Sequence, residues 1–110
     1  MSNRLGFRAF LRKHVDIPNL YFQPPANKTM KYPCIRYSLA RAETAHADNR
    51  PYKISPVYEL ILIDEDPDSK YMYKLMEMPQ TRFDRFYTAD DLNHWVFRTH
   101  YTGIFPDANT

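Results

Sequence analysis

Between residues 3 and 14 the chain reads NRLGFRAFLRKH, with Leu5, Phe7, Phe10, Leu11 and His14 at near-helical spacing. Ser2 or Asn3 stands where a cap is wanted, and Arg4, Arg8 and Arg12 form an i, i+4 row on the other side. The pattern predicts an amphipathic helix. A short extended segment, NLYFQPP, follows at residues 19–25. Leu20 and Phe22 share a parity there, and Pro24–Pro25 force a polyproline-like exit. Its first letters resemble a protease-tag site, yet two prolines follow the glutamine and native-looking sequence flanks it, so it is read as the protein's own.

In PCIRYSL, residues 33–39, Cys34, Arg36 and Ser38 alternate with Ile35, Tyr37 and Leu39, the pattern of a half-buried strand. Residues 40–53, ARAETAHADNRPYK, break that pattern. They hold no large aliphatic residue and only Tyr52 as an aromatic, so they are expected to form a long polar loop. KISPVYELILIDE, residues 53–65, is the strongest strand. Leu60, Ile61, Leu62 and Ile63 are apolar on both parities, which predicts a central position covered on both faces. Residues 66–79 predict a second helix, capped by Asp66 with Pro67 in its first position and Tyr71, Met72, Leu75 and Met76 on one face. Strands are predicted at 81–88 and 93–101, and a loose tail at 102–110.

Composition narrows the function classes. The chain has 110 residues, enough for one domain with one core. Its 15% aromatic content is too high for a disordered chain and favours strands. With Gly6 and Gly103 the only glycines, the phosphate-cradling patterns G-x-G-x-x-G and G-x-x-x-x-G-K-[ST] are absent. A net charge of +2 is too small to argue for nucleic acid or an anionic membrane. Cys34 stands alone, so no internal disulfide and no multi-cysteine zinc site is expected. No stretch approaches the ~20 apolar residues of a membrane helix. Arg4, Arg8, Arg12 and Lys13 interrupt any secretory leader. The expectation is a soluble protein of a reducing compartment.

Two aspartates and two histidines gather within DDLNHWVFRTHY, residues 90–101. His94 and His100 share a parity, but six residues of strand separate them by roughly 20 Å, too far to share one ion. Trp95, Phe97 and Tyr101 take the opposite, core-facing parity. Asp90 and Asp91 fit a turn. DEDPDS, residues 64–69, opens like a calcium loop, but Pro67, Ser69 and Leu75 stand where the loop needs other residues, glycine and glutamate among them. Cys34 has no local activating group. Ser38, Ser55 and Ser69 lack nucleophile-elbow glycines. No catalytic residue, metal site or cofactor is expected. Basic–aromatic neighbours at Lys31-Tyr32, Arg36-Tyr37, Arg82-Phe83 and Arg85-Phe86 leave open a small nucleic-acid-binding module, although half-buried strands produce the same interleaving.

The order NLYFQPP, MKYPCIRYSL, ADNRPYK, YELILIDEDPDS and FDRFYTADDLNHWVF, from about Leu20 to Tyr101, resembles the tail-terminator (tail-completion) proteins of long-tailed bacteriophages. That resemblance implies helices packed on a mostly antiparallel sheet. Joined to the predicted elements, it gives an α+β fold of two helices on four to five strands. It also implies a virion structural protein forming a ring, commonly hexameric, in the neck of the particle and assembled in the host cytoplasm. Its partners would be copies of itself, the tail tube protein, the head-side connector or stopper, and DNA passing through the lumen, with no membrane. Another neck protein, whether a head-completion, stopper or minor capsid protein, is the alternative. In this setting Arg41, Glu43, Asp48, Arg50 and Lys53 are expected at subunit or tube contacts, and Arg4, Arg8 and Arg12 facing a partner.

Overall fold

The computed structural model of the chain describes residues 3–25, 29–47 and 50–101. Helix α1 (Asn3–His14) leads into β1 (Leu20–Phe22), β2 (Cys34–Ala47) and β3 (Arg50–Asp64); helix α2 (Lys70–Glu77) and strands β4 (Thr81–Ala89) and β5 (Leu92–His100) complete the fold. The strands form one sheet in the order β1-β2-β3-β5-β4. Only the β1–β2 pairing is parallel; the other three are antiparallel. The protein is therefore an α+β fold, two helices on a mostly antiparallel five-stranded sheet among the described residues.

Alternation divides the sheet into two unlike faces. On one, Ile35 and Tyr37 of β2, Tyr58, Leu60 and Leu62 of β3, and Trp95 and Phe97 of β5 join Phe7, Leu11, Leu75 and Met78 of the helical layer in a single core. Both helices lie on this side. Along α1, Phe7 and Leu11 are four residues apart and fully buried, whereas Leu5, two residues before Phe7 and so about 200° around the axis, is 51% exposed. The helix therefore has a narrower apolar stripe than its spacing predicts. Gly6 lets it approach closely, since a Cβ there would lie 2.8 Å from the Tyr101 hydroxyl.

The second helix is shorter than predicted. Its cap is Ser69, whose Oγ accepts from the Tyr71 amide, not Asp66. Asp66 instead accepts from the Asp68 amide, and Asp64 from the Asp66 amide. These carboxylates hold two successive backbone turns before the helix begins, so Pro67 lies outside it.

The largest departure concerns residues 40–53. Residues 40–47 and 50–53 are not an irregular loop but strand, and Ala47 pairs with Arg50. Asp48 and Asn49 between them lie outside the described residues. Main-chain pairing between two strands needs no buried face, which is why a polar sequence continues the ladder begun by its apolar flanks. Among the described strands, β1 pairs with β2 only through Phe22↔Tyr37, and β5 reaches β3 only as far as Val57. Residues 42–47 and 50–55 therefore run out of the sheet as a two-stranded ribbon of roughly 20 Å.

Candidate functional site

The helix-free face of the sheet carries most of the chemistry-bearing side chains. The register sets Cys34 beside Ile63, Ile61 beside Val96, Glu59 beside Arg98 and Val57 beside His100. Cys34, Val57, Ile63 and Val96 are buried on it; Ile61 remains half-buried, because no described helix covers this side. The expectation that Leu60–Ile63 is covered on both faces therefore holds fully for the helical side only. Around these apolar residues runs a charged rim. Arg98 reaches Glu59 at 3.3 Å and Asp84 at 3.7 Å, and Asp84 meets Arg85 at 2.6 Å. All four are at least partly solvated, so the network fixes side-chain positions more than it stabilises the fold.

His94 and His100 both lie on this face, beside Ile63 and Val57. His94 stacks on Tyr87 at 4.6 Å and 12°, with Nδ1 3.2 Å from the Leu92 carbonyl. His100 lines a shallow surface depression with Gln80, Thr81 and Arg82. Asp90 and Asp91 form the two-residue β4–β5 turn, both with positive φ (54° and 62°), the primed-turn geometry that asparagine, aspartate and glycine accept. Among the described residues no group of three or more His, Cys, Asp or Glu side chains is placed to hold a metal ion. Among them, too, no helix is long and apolar enough to cross a membrane.

The interleaving of cations and aromatics resolves into two faces. Arg82 and Arg85 project beside Arg98 and Val96, whereas Phe83 and Phe86 meet Phe97 and Trp95 at 5.4 Å on the helical side. Cation and ring are therefore held apart by the sheet. The two phenylalanines share a side although they are three residues apart, because a bulge between Phe83 and Arg85 adds one residue.

Edge strand β4 is the most exposed element described: eight of its nine residues are exposed and the ninth is half-buried. Phe83 and Phe86 are 42% and 48% exposed, and the neighbouring α2 adds exposed Tyr73 and Met76. This apolar rim was not legible from the sequence, where alternation implies a covered face without saying that β4 is an edge.

The residues expected at contacts are distributed as follows. The backbones of Arg41, Glu43, Arg50 and Lys53 lie on the two arms that continue into the ribbon; their side chains, like that of Arg4 and all of Asp48, lie outside the described residues. The predicted basic row is not uniform, for Arg8 Nη1 donates to the Leu20 carbonyl at 3.4 Å and ties α1 to β1, while Arg12 is exposed.

Cys34 is fully buried, and burial pushes its thiol from an ordinary 9.0 up to about 11, with Asp64 adding to the rise and Arg36 opposing it. The folded chain thus holds this proton more tightly than the unfolded chain. The stability this contributes is fully present below pH 9.0 and lost as pH rises through about 11. At pH 8 the thiol should react with iodoacetamide at least about a hundredfold more slowly in the folded than in the unfolded chain. Denaturation midpoints of the chain and of Cys34→Ala, compared at pH 8 and 10.5, should converge at the higher pH. Equal reactivity in both states would show that the thiol is not buried.

The sequence matches no protein family, and no curated protein matches it.

Proposed function

We propose that the chain is a ring-forming virion subunit of the tail-terminator class, which caps the tail tube of a long-tailed phage and joins it to the head-side connector. The observation that carries this reading is the ribbon, a pair of strands that no further strand among the described residues joins. A two-stranded hairpin is marginal alone in water and gains order when a third strand or a surface covers it. Head-to-tail repetition of one such contact closes into a ring when the rotation closes. The order of landmarks along the sequence supplies the rest: copies of the chain, the tail tube, the connector, and DNA in the lumen as partners, with assembly in the host cytoplasm and a final place in the virion neck.

The nucleic-acid alternative draws less support. Of the open face's arginines, Arg85 and Arg98 already contact carboxylates, and the aromatic rings of the interleaved pairs on β4 face the other way.

The test is the mass of the purified protein by sedimentation, alone and with tail tubes, with tube ends imaged by electron microscopy. A closed oligomer, formed alone or at one tube end and halting further tube growth, is the expected result. Rings that bind the head-side connector and ignore tubes would move the protein to another layer of the neck. A monomer under every condition, with tubes growing unchanged, would overturn the proposal.

A further inference from the structure

Among the described strands the sheet ends in two edges without a neighbour, and they match each other. At one side stands β4, nine residues long and exposed at all but its first residue. At the other, β1 covers β2 only as far as Tyr37, so among the described strands residues 38–47 of β2 have no neighbour on their outer side. The two free edges are nearly equal in length. They also run in opposite directions, since the step from β2 through β3 and β5 to β4 is antiparallel three times. Two copies placed side by side in the same orientation therefore present β4 of one antiparallel to β2 of the next.

The apolar rims agree as well. Leu39, at the start of the open stretch of β2, is 50% exposed, and it follows the parity of Ile35 and Tyr37 toward the helical side. Phe83 and Phe86 are exposed on that same side at the β4 edge. Joining the edges with the sheet continuous would bring the two rims together and give the ribbon its third strand. Asp84, the acid on β4, is already matched by Arg85 and Arg98 within its own subunit, so it presents no lone charge to an incoming strand.

We infer that β4 of one subunit pairs antiparallel with residues 38–47 of the next, so that the sheets of neighbouring copies run on through the ring. The occupant of each free edge is a second copy of this chain. This deepens the ring reading given above and rests on it. A twofold pairing of β4 with β4 is the rival arrangement, and it leaves both ribbons uncovered.

Disulfide trapping separates the outcomes. In a Cys34→Ala background, Arg82→Cys, Arg85→Cys and Thr88→Cys are each combined with Ala40→Cys or Thr44→Cys, which together bracket the register. Within one subunit β2 and β4 are separated by β3 and β5, or about 14 Å, beyond the reach of a disulfide. The β4 positions and Ala40 are exposed, so these substitutions leave the core intact. On oxidation of the assembled protein, at least one pair should give a ladder of covalent oligomers on a non-reducing gel, and no single-cysteine chain should give one. Oligomers seen by sedimentation without a ladder from any pair would overturn the interface while leaving the ring standing. Covalent dimers from Arg85→Cys alone would replace it with the twofold pairing. A chain that sediments as a monomer with and without tubes would remove the ring and its interface together.

Discussion

Phe7→Ala should lower the free energy of unfolding by about 3–5 kcal/mol, one of the largest effects expected of a single side chain in this fold. Phe7 is fully buried and is the ring around which the helix–sheet contact is built. It stacks nearly parallel on Tyr58 at 4.2 Å and 9°, meets Tyr37 edge-on at 5.8 Å, and lies 5.1 Å from Tyr101. Those three rings come from β3, β2 and the end of β5, so one truncation opens a void bounded by three elements. Tyrosine rings pinned at separate strands close poorly over such a void, and the cost sits toward the upper end of the range. For a domain of this size the melting temperature should fall by roughly 10 °C or more. Leu5→Ala, on the same helix but exposed, should change stability by less than about 0.5 kcal/mol and serves as the control. Calorimetry and urea titration of both variants decide the matter. A loss under about 1 kcal/mol for Phe7→Ala would mean that α1 does not pack on the sheet as described.

Where periodicity was strong, the sequence carried the fold. Leu60–Ile63 marked the middle strand because both parities were apolar, and residues 3–14 marked the first helix by the recurrence of Phe7, Phe10, Leu11 and His14. Reading failed where main-chain bonding outweighed side-chain pattern. Residues 40–53 hold no large aliphatic residue, so side-chain alternation predicts a loop there, yet strand pairing continues through backbone hydrogen bonds. The start of α2 was misplaced because Asp66-Pro67 and Ser69 are both valid caps in sequence. Only the turn bonds at Asp64 and Asp66 decide in favour of Ser69.

The β4 edge shows a different limit. FDRF places Phe83 and Phe86 three apart, an odd spacing that two residues on one face of a regular strand never have. That phase slip is the signature of the bulge, and it was present in the letters. What the letters lacked was neighbourhood. Burial of an aromatic in a strand depends on whether another layer or strand lies beyond it, and strand order comes from long-range pairing, not from local composition. The two edges without a described neighbour thus became visible only in the assembled sheet.

Shortening the ribbon should separate folding from assembly. Glu43 and Ser55 are register partners, so replacing residues 44–54 with Asn-Gly closes the hairpin at a natural step with a two-residue primed turn. Every residue of the described core lies outside the excised stretch. The shortened chain should therefore fold with a stability within about 1 kcal/mol of the full chain, for only the marginal pairing of an isolated ribbon is lost. Assembly should behave oppositely. With residues 44–47 gone, only residues 38–43 of β2 remain to pair with the next subunit, too short a contact to hold the ring, so sedimentation should show a monomer with and without tubes, and tails should go uncapped and overgrow. The contrast is large: near-wild-type melting beside complete loss of the oligomer. Should the shortened chain still close rings and finish tails of normal length, the ribbon is not the contact, and both the interface and the reason for proposing a ring subunit fall. Should it fail to fold at all, the ribbon belongs to the subunit's own stability, and its exposure no longer speaks for a partner.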